Sequence, residues 1–242
     1  MRFSAKGLVI KEQKVAESDR LLTVLTGERG LIRSFAPHAM NIKSKNMSAT
    51  QLLAYSDFVF YRGRDTYSVN EAQAINVFFD LRKDIEALSL AGYFCELAGA
   101  FAPQEDEAGD YLSLILNALH LLCKKTRGFR IIKSVVELRL CALSGYMPDL
   151  TACRGCGAFD DGMRFEMRDG AISCEKCEGN GTPVPKGVLA AMRHIIYSQP
   201  SKLFNFNLPD EALGLLSKTT ERYVQTQMER RFSTLDFYYS VV

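Results

Sequence analysis

The sequence is short of the groups that most often carry chemistry. Its 242 residues hold only three histidines, His38, His120 and His194, and none stands in a recognisable arrangement. There is no G-x-S-x-G nucleophile turn, no G-x-x-x-x-G-K-[ST] phosphate loop and no H-E-x-x-H pair. These absences remove the usual readings as hydrolase, nucleotide-binding enzyme or metalloprotease, and no enzyme is expected. His120, inside Leu119-His-Leu-Leu122, reads as a packed helix residue, and Glu105-Asp-Glu107 reads as a solvated linker. No apolar run approaches the ~20 residues that span a bilayer. Lys11 and Glu12 arrive before any signal-peptide core can form. A cytoplasmic protein without a membrane partner is expected. Charge of one sign is missing too: 30 Lys and Arg face 28 Asp and Glu, a formal net charge of +2. Blanket basicity is therefore excluded, and any polyanion surface must be a local patch. Seven prolines and 17 glycines are too few for low complexity, and 47% hydrophobic residues suit an ordinary folded chain.

What is present begins with cysteine. There are seven, an odd number that fits a disulfide framework badly. Cys95, Cys123 and Cys141 lie in apolar helical stretches, where a free thiol acts as a small hydrophobe. The other four form two C-x-x-C pairs, Cys153-Arg-Gly-Cys156 and Cys174-Glu-Lys-Cys177, with 17 residues between them. That spacing suits a four-thiolate zinc site, because two intervening residues let both sulfurs of a turn face one ion. Gly155, Gly157 and Gly179 stand where such turns need small residues. Four unrelated thiols or a redox C-x-x-C are the competing readings. With four cysteine ligands there is no open position, so one structural Zn2+ per chain is expected.

The chain divides by periodicity. Phe3–Lys14, Arg20–Thr26, Leu31–Phe35, Gln51–Tyr61 and Thr66–Ile75 read as five strands. Gly27-Glu-Arg-Gly30 and Arg62-Gly-Arg-Asp65 serve as turns between neighbouring pairs. Five strands in this order suit an OB-type barrel, and an SH3-like barrel has nearly the same count. Helical spacing then takes over, first with Leu81, Ile85, Leu88, Tyr93, Leu97 and Phe101. Further helices are expected at about 110–125, 129–144, 186–198 and 209–230, with a Cys/Gly-rich insert at 151–182. The expectation is an α+β chain: an OB-fold domain over 1–79, then a helical domain over 80–242 that carries the four-cysteine zinc finger.

Two basic clusters could meet a polyanion. In the barrel, Lys11, Lys14, Arg20, Arg33, Lys43, Lys45, Arg62 and Arg64 are interleaved with Phe35, Tyr55, Phe58, Tyr61 and Tyr67. In an OB fold Lys14 and Arg20 flank the first loop, while Arg62 and Arg64 form the last; both rim the groove for single strands. The bland alternative is surface charge around core aromatics. The second cluster, Lys124, Lys125, Arg127, Arg130 and Lys133, could receive an acidic peptide or a phosphate backbone, or be a solvated helix end.

In this order the motifs resemble the bacterial recombination mediator family RecO. The likeness rests on Gly7-Leu-Val-Ile10, Glu17-Ser-Asp-Arg-Leu-Leu-Thr-Val-Leu-Thr26, Glu28-Arg-Gly-Leu-Ile-Arg33, Lys43-Ser-Lys45 and the Cys153 to Cys177 insert. Ala36-Pro-His-Ala-Met40 departs from it, lacking a glycine and extra basic residues. The resemblance implies binding of single- and double-stranded DNA, annealing of complementary strands and partnership with RecR. It also implies help in loading RecA onto strands coated by single-strand-binding protein, whose acidic tail would meet the second basic cluster, and a place at the nucleoid. Two rivals stand beside it. A zinc-ribbon adaptor would bind only proteins, and an NAD-dependent deacylase would need a glycine-rich dinucleotide turn that is not present.

Overall fold

The computed structural model describes residues 1–15, 17–41, 44–64, 66–159, 162–177 and 181–242. They form two compact units, one of Met1–Lys124 with Thr234–Val242 and one of Lys125–Ser233.

Five strands open the first unit: Arg2–Lys14 (β1), Arg20–Thr26 (β2), Gly30–Ala36 (β3), Ala54–Arg62 (β4) and Tyr67–Val77 (β5). They close into a barrel in the order β1-β2-β3-β5-β4, with β4 returning to β1. Only β3 and β5 run parallel, through Ser34↔Tyr67 and Phe35↔Ser68. Burial alternates along β3 and β4, as a barrel with one inward face requires. In β1 the register slips between Val9 and Lys11, and Leu8, Val9 and Ile10 are all buried. Val9 joins the barrel core with Leu22, Val24, Ile32, Phe58 and Phe60, while β1 also packs against the first helix. The rings of Phe58 and Phe60 stack at 5.2 Å. Gly30 sits at φ +58, and a β-carbon there would come within 2.1 Å of the Pro103 carbonyl oxygen. The β2–β3 turn therefore requires glycine at this place.

Ile85–Phe101 (α1) and Gly109–Lys124 (α2) follow. The Asp84 carboxylate accepts from the amides of Glu86 and Ala87, so α1 begins there. Leu81, expected inside the helix, belongs instead to a 3-10 turn over Phe79–Lys83. The last helix, Ser233–Val241 (α6), completes this unit: Thr234 donates from both its amide and its hydroxyl to Glu96 on α1.

Among the described residues the second unit has three α-helices, Phe129–Leu143 (α3), Lys186–Tyr197 (α4) and Asp210–Met228 (α5); α3 packs on both others. Described residues of the insert between α3 and α4 carry secondary structure that its composition does not suggest. Met163–Glu166 (β6), Ala171–Cys174 (β7) and Thr182–Pro183 (β8) form a small sheet in the order β7-β6-β8. Met163, Phe165 and Ile172 give it a core, and Phe165 meets the Tyr223 ring of α5 at 5.2 Å. Arg193 of α4 donates to the Leu150 carbonyl and ties down the start of the insert. No described helix is long and apolar enough to cross a membrane.

Candidate metal centre and nucleic-acid interface

The two C-x-x-C pairs converge. The sulfurs of Cys153, Cys156, Cys174 and Cys177 all lie within 4.8 Å of one another. Cys156 and Cys174 stand 3.7 Å apart, close to the ~3.8 Å edge of a tetrahedron built on ~2.3 Å metal–sulfur bonds. Strand β7 delivers Cys174 and the turn after it Cys177, while the turn after Leu150 delivers the first pair. The Cys174 amide donates to Cys153 Sγ at 3.2 Å. With the amides of Cys156 and Gly155 it draws the Cys153 thiol down to about 6. Cys177 is pushed up to about 12 by the three sulfurs around it. Four thiols so placed cannot all ionise on their own account, and a cation relieves that conflict. Gly155 completes the cradle, since a β-carbon there would lie 3.0 Å from Cys177 Sγ. The donor set and the cradle fit a metal ion. Arg154, inside the first pair, is bound by Glu166 at 2.9 Å and by Asp169, so its charge serves the insert. Gly179 lies outside the described residues.

On the barrel, the register sets Thr23 between Lys11 and Arg33, and the other predicted basic residues meet different surroundings. Lys11, Lys14, Arg33, Lys45, Arg62 and Arg64 are exposed. Lys43 lies outside the described residues. Arg20 is largely covered: it donates to the Met47 carbonyl at 3.1 Å and to Thr50 Oγ1 at 3.0 Å, and stands 3.8 Å from Glu12. Its geometry suits bracing the chain before β4 rather than meeting a ligand. Lys45 lines a separate depression with Asn46, Asp57 and Glu71. What the fold does bring together is Arg33, Phe35 and Tyr67. They line a groove of about 950 Å³ over β2, β3 and the start of β5, walled on its other side by Gly99, Gln104 and Glu105. The Arg62 guanidinium lies 5.6 Å over the Tyr67 ring, at the groove's edge. Of the other aromatics, Phe58 is core, Tyr55 is half-buried and Tyr61 is exposed. Arg62 is not free, because Glu105 stands 3.6 Å away and also accepts from the Tyr67 hydroxyl at 3.1 Å. Sequence reading placed Glu105 in a solvated linker; nothing local shows that residue 105 meets residues 62 and 67.

In the second cluster, Lys124 ends the first unit and Lys125 begins the second. Arg127 donates to the side chains of Asn205 and Asn207 at 3.0 and 3.3 Å, and Arg130 is exposed. Lys133 corrects the sequence reading. It is 1% exposed, its ammonium 2.9 Å from Glu137 and 2.7 Å from Glu221, so it is a core ion and not a surface contact.

Comparison with known proteins decides the family. Models described as Recombination protein O N terminal and Recombination protein O C terminal match residues 1–78 and 82–236. The chain belongs to the RecO family. It is 34% identical to the DNA repair protein RecO of Acetivibrio thermocellus, over 97% of this chain and 95% of that one. The RecO of Caldicellulosiruptor bescii is 29% identical over 98% and 97%. That of Desulforudis audaxviator is 34% identical over 75% and 73%. The first two of these matches run over nearly the whole of this chain, the barrel and the cysteine insert included.

Proposed function

We propose that this protein is a non-catalytic DNA repair and recombination mediator. In this reading residues 1–79 are an OB-type domain that binds single- and double-stranded DNA without base specificity and anneals complementary strands. The observation that carries it is the β2–β3 groove, where Arg33, Phe35 and Tyr67 offer charge and stacking surface together. The strand order of the closed barrel and its parallel β3–β5 seam support the OB assignment. Arginine beside aromatic rings suits a strand held by backbone and stacking, since an array of amides for reading base edges is not what lines this face. The four cysteines hold one Zn2+, which supplies folding energy and no reaction step. The helical part expected over 80–242 is shared between the two units, with α1, α2 and α6 beside the barrel, and Lys124, Lys125, Arg127 and Arg130 receive the acidic tail of single-strand-binding protein. RecR is the direct partner and RecA the indirect one, at the nucleoid in the cytoplasm.

The test is a titration of labelled oligonucleotide at several salt concentrations, with an annealing assay alongside. Phosphate contacts predict a steep loss of affinity as salt rises. An absence of salt-dependent binding and of annealing would leave the protein-only adaptor as the better reading.

A further inference from the structure

The connection from α1 to α2 is fastened to the β2–β3 hairpin at both ends. Leu31 donates its amide to the Pro103 carbonyl at 2.9 Å, and Ala108 donates its amide to the Gly27 carbonyl at 2.7 Å. The missing side chain of Gly30 lets this segment lie directly on the hairpin. Glu105 stands between the two fastenings, in the left-handed region at φ +58, which disfavours a residue with a β-carbon. From there its Oε1 faces the Arg62 guanidinium and accepts from the Tyr67 hydroxyl. One carboxylate thus holds the cation and the ring that a strand entering this end of the groove would use.

We propose that Glu105 is a built-in phosphate mimic: it occupies the place of one backbone phosphate beside Arg62 and Tyr67, and a single strand must displace it to bind. The inference rests on the DNA-binding reading above. A carboxylate is a natural stand-in, because a guanidinium recognises carboxylate and phosphate oxygens by the same charge-assisted donors. The pair is exposed at both ends, so the hold is weak and reversible. Entry of the strand is an exchange in which Arg62 passes from Glu105 to a phosphate, the Tyr67 ring is released for stacking, and Glu105 turns to water. Affinity for stray single strands is lowered, whereas a long strand that engages Arg33 and Arg64 as well makes up the difference. Salt weakens the internal pair as it weakens the phosphate contact, so the restraint is strongest when salt is low.

Fluorescence anisotropy on the full chain with a labelled thymidine oligonucleotide tests this. Glu105→Gln should tighten binding by up to about five-fold at low salt, converging on wild type as salt rises. Glu105→Asn, better suited to the left-handed backbone, repeats the measurement if the first variant is poorly folded. Glu107→Gln, two residues on in the same connection, reports what removing any nearby negative charge does and should gain less. In an Arg62→Ala background the gain from Glu105→Gln should vanish. Equal gains at 105 and 107, a gain that survives without Arg62, or no gain at all overturns the mimic and leaves DNA binding standing. If neither wild type nor Glu105→Gln binds, the DNA reading and the mimic fall together; binding by the variant alone supports both.

Discussion

Lys133 Nζ lies 2.9 Å from Glu137 Oε1, one turn further along α3, and neither side chain reaches solvent. Glu221 on α5 takes the same ammonium at 2.7 Å, and Thr220 donates to Glu137. Burial pushes the Glu137 carboxyl above the usual range, against the pull of Lys133. Lys133→Met would leave two carboxylates in the helix interface without their ammonium, costing about 3–5 kcal/mol. A carboxyl whose folded pKa is raised binds more protons folded than unfolded, so its contribution is present at low pH and lost as pH rises through the folded value. The deficit of Lys133→Met relative to wild type should therefore widen from pH 5 to pH 8 in thermal melts. Adding Glu137→Leu should recover part of it; a pH-independent deficit would contradict this account.

Metal removal should act on the second unit. Freshly purified protein should carry one zinc per chain by metal analysis, and Ser at any of Cys153, Cys156, Cys174 or Cys177 should lower the melting temperature. Limited proteolysis of these variants should open the insert first and spare the barrel. Metal-free protein with four freely titrating thiols would refute the zinc assignment.

Gly30→Ala should be costly without touching DNA. The left-handed backbone alone costs about 1–2 kcal/mol, and the β-carbon would strike the Pro103 oxygen. A loss of at least roughly 4 °C in melting temperature is expected for a chain of this size. A wild-type melt would mean the α1–α2 connection moves aside freely.

Arg20 and Arg33 should separate bracing from contact. Arg33→Ala should leave the melt unchanged and flatten the salt dependence of oligonucleotide binding by about one unit. Arg20→Ala should lower the melting temperature, because the Met47 and Thr50 contacts go with it. Changing Arg20, Arg33, Arg62 and Arg64 together should abolish annealing, which requires two polyanions to be held at once. Wild-type annealing by that quadruple variant would move the DNA surface off the barrel.

For the acidic tail, Arg130→Glu is the cleaner variant, since Arg127 also braces Asn205 and Asn207. Tail-peptide binding should fall at least ten-fold with the melt preserved. Unchanged peptide affinity would remove this cluster from the partner surface.

The barrel strands were legible because period-two burial is written directly into Gly30–Ala36 and Ala54–Arg62. The four-cysteine cluster was legible because its members come as two local pairs. Lys133 misled because it ends a visibly basic stretch, yet the signal was there: Glu137 follows at i+4 amid apolar neighbours. Met163-Arg-Phe-Glu166 alternates like a strand, but the cysteines around it drew it into a featureless insert. Helix α6 went unread since only Leu235 and Tyr238 among its nine residues are buried, too few to set a period. The partnership of Glu105 with Arg62 and Tyr67 is a product of tertiary placement alone.

That same short helix sets an order of events during synthesis. Thr234–Val242 completes a unit whose other part ends at Lys124, so the ribosome makes the whole second unit in between. Until then Glu96 waits for Thr234, and Glu86 for the Tyr238 hydroxyl that reaches it at 3.4 Å. A nascent chain can close its barrel early, but the helical side of that unit is sealed only after the whole second unit has been made.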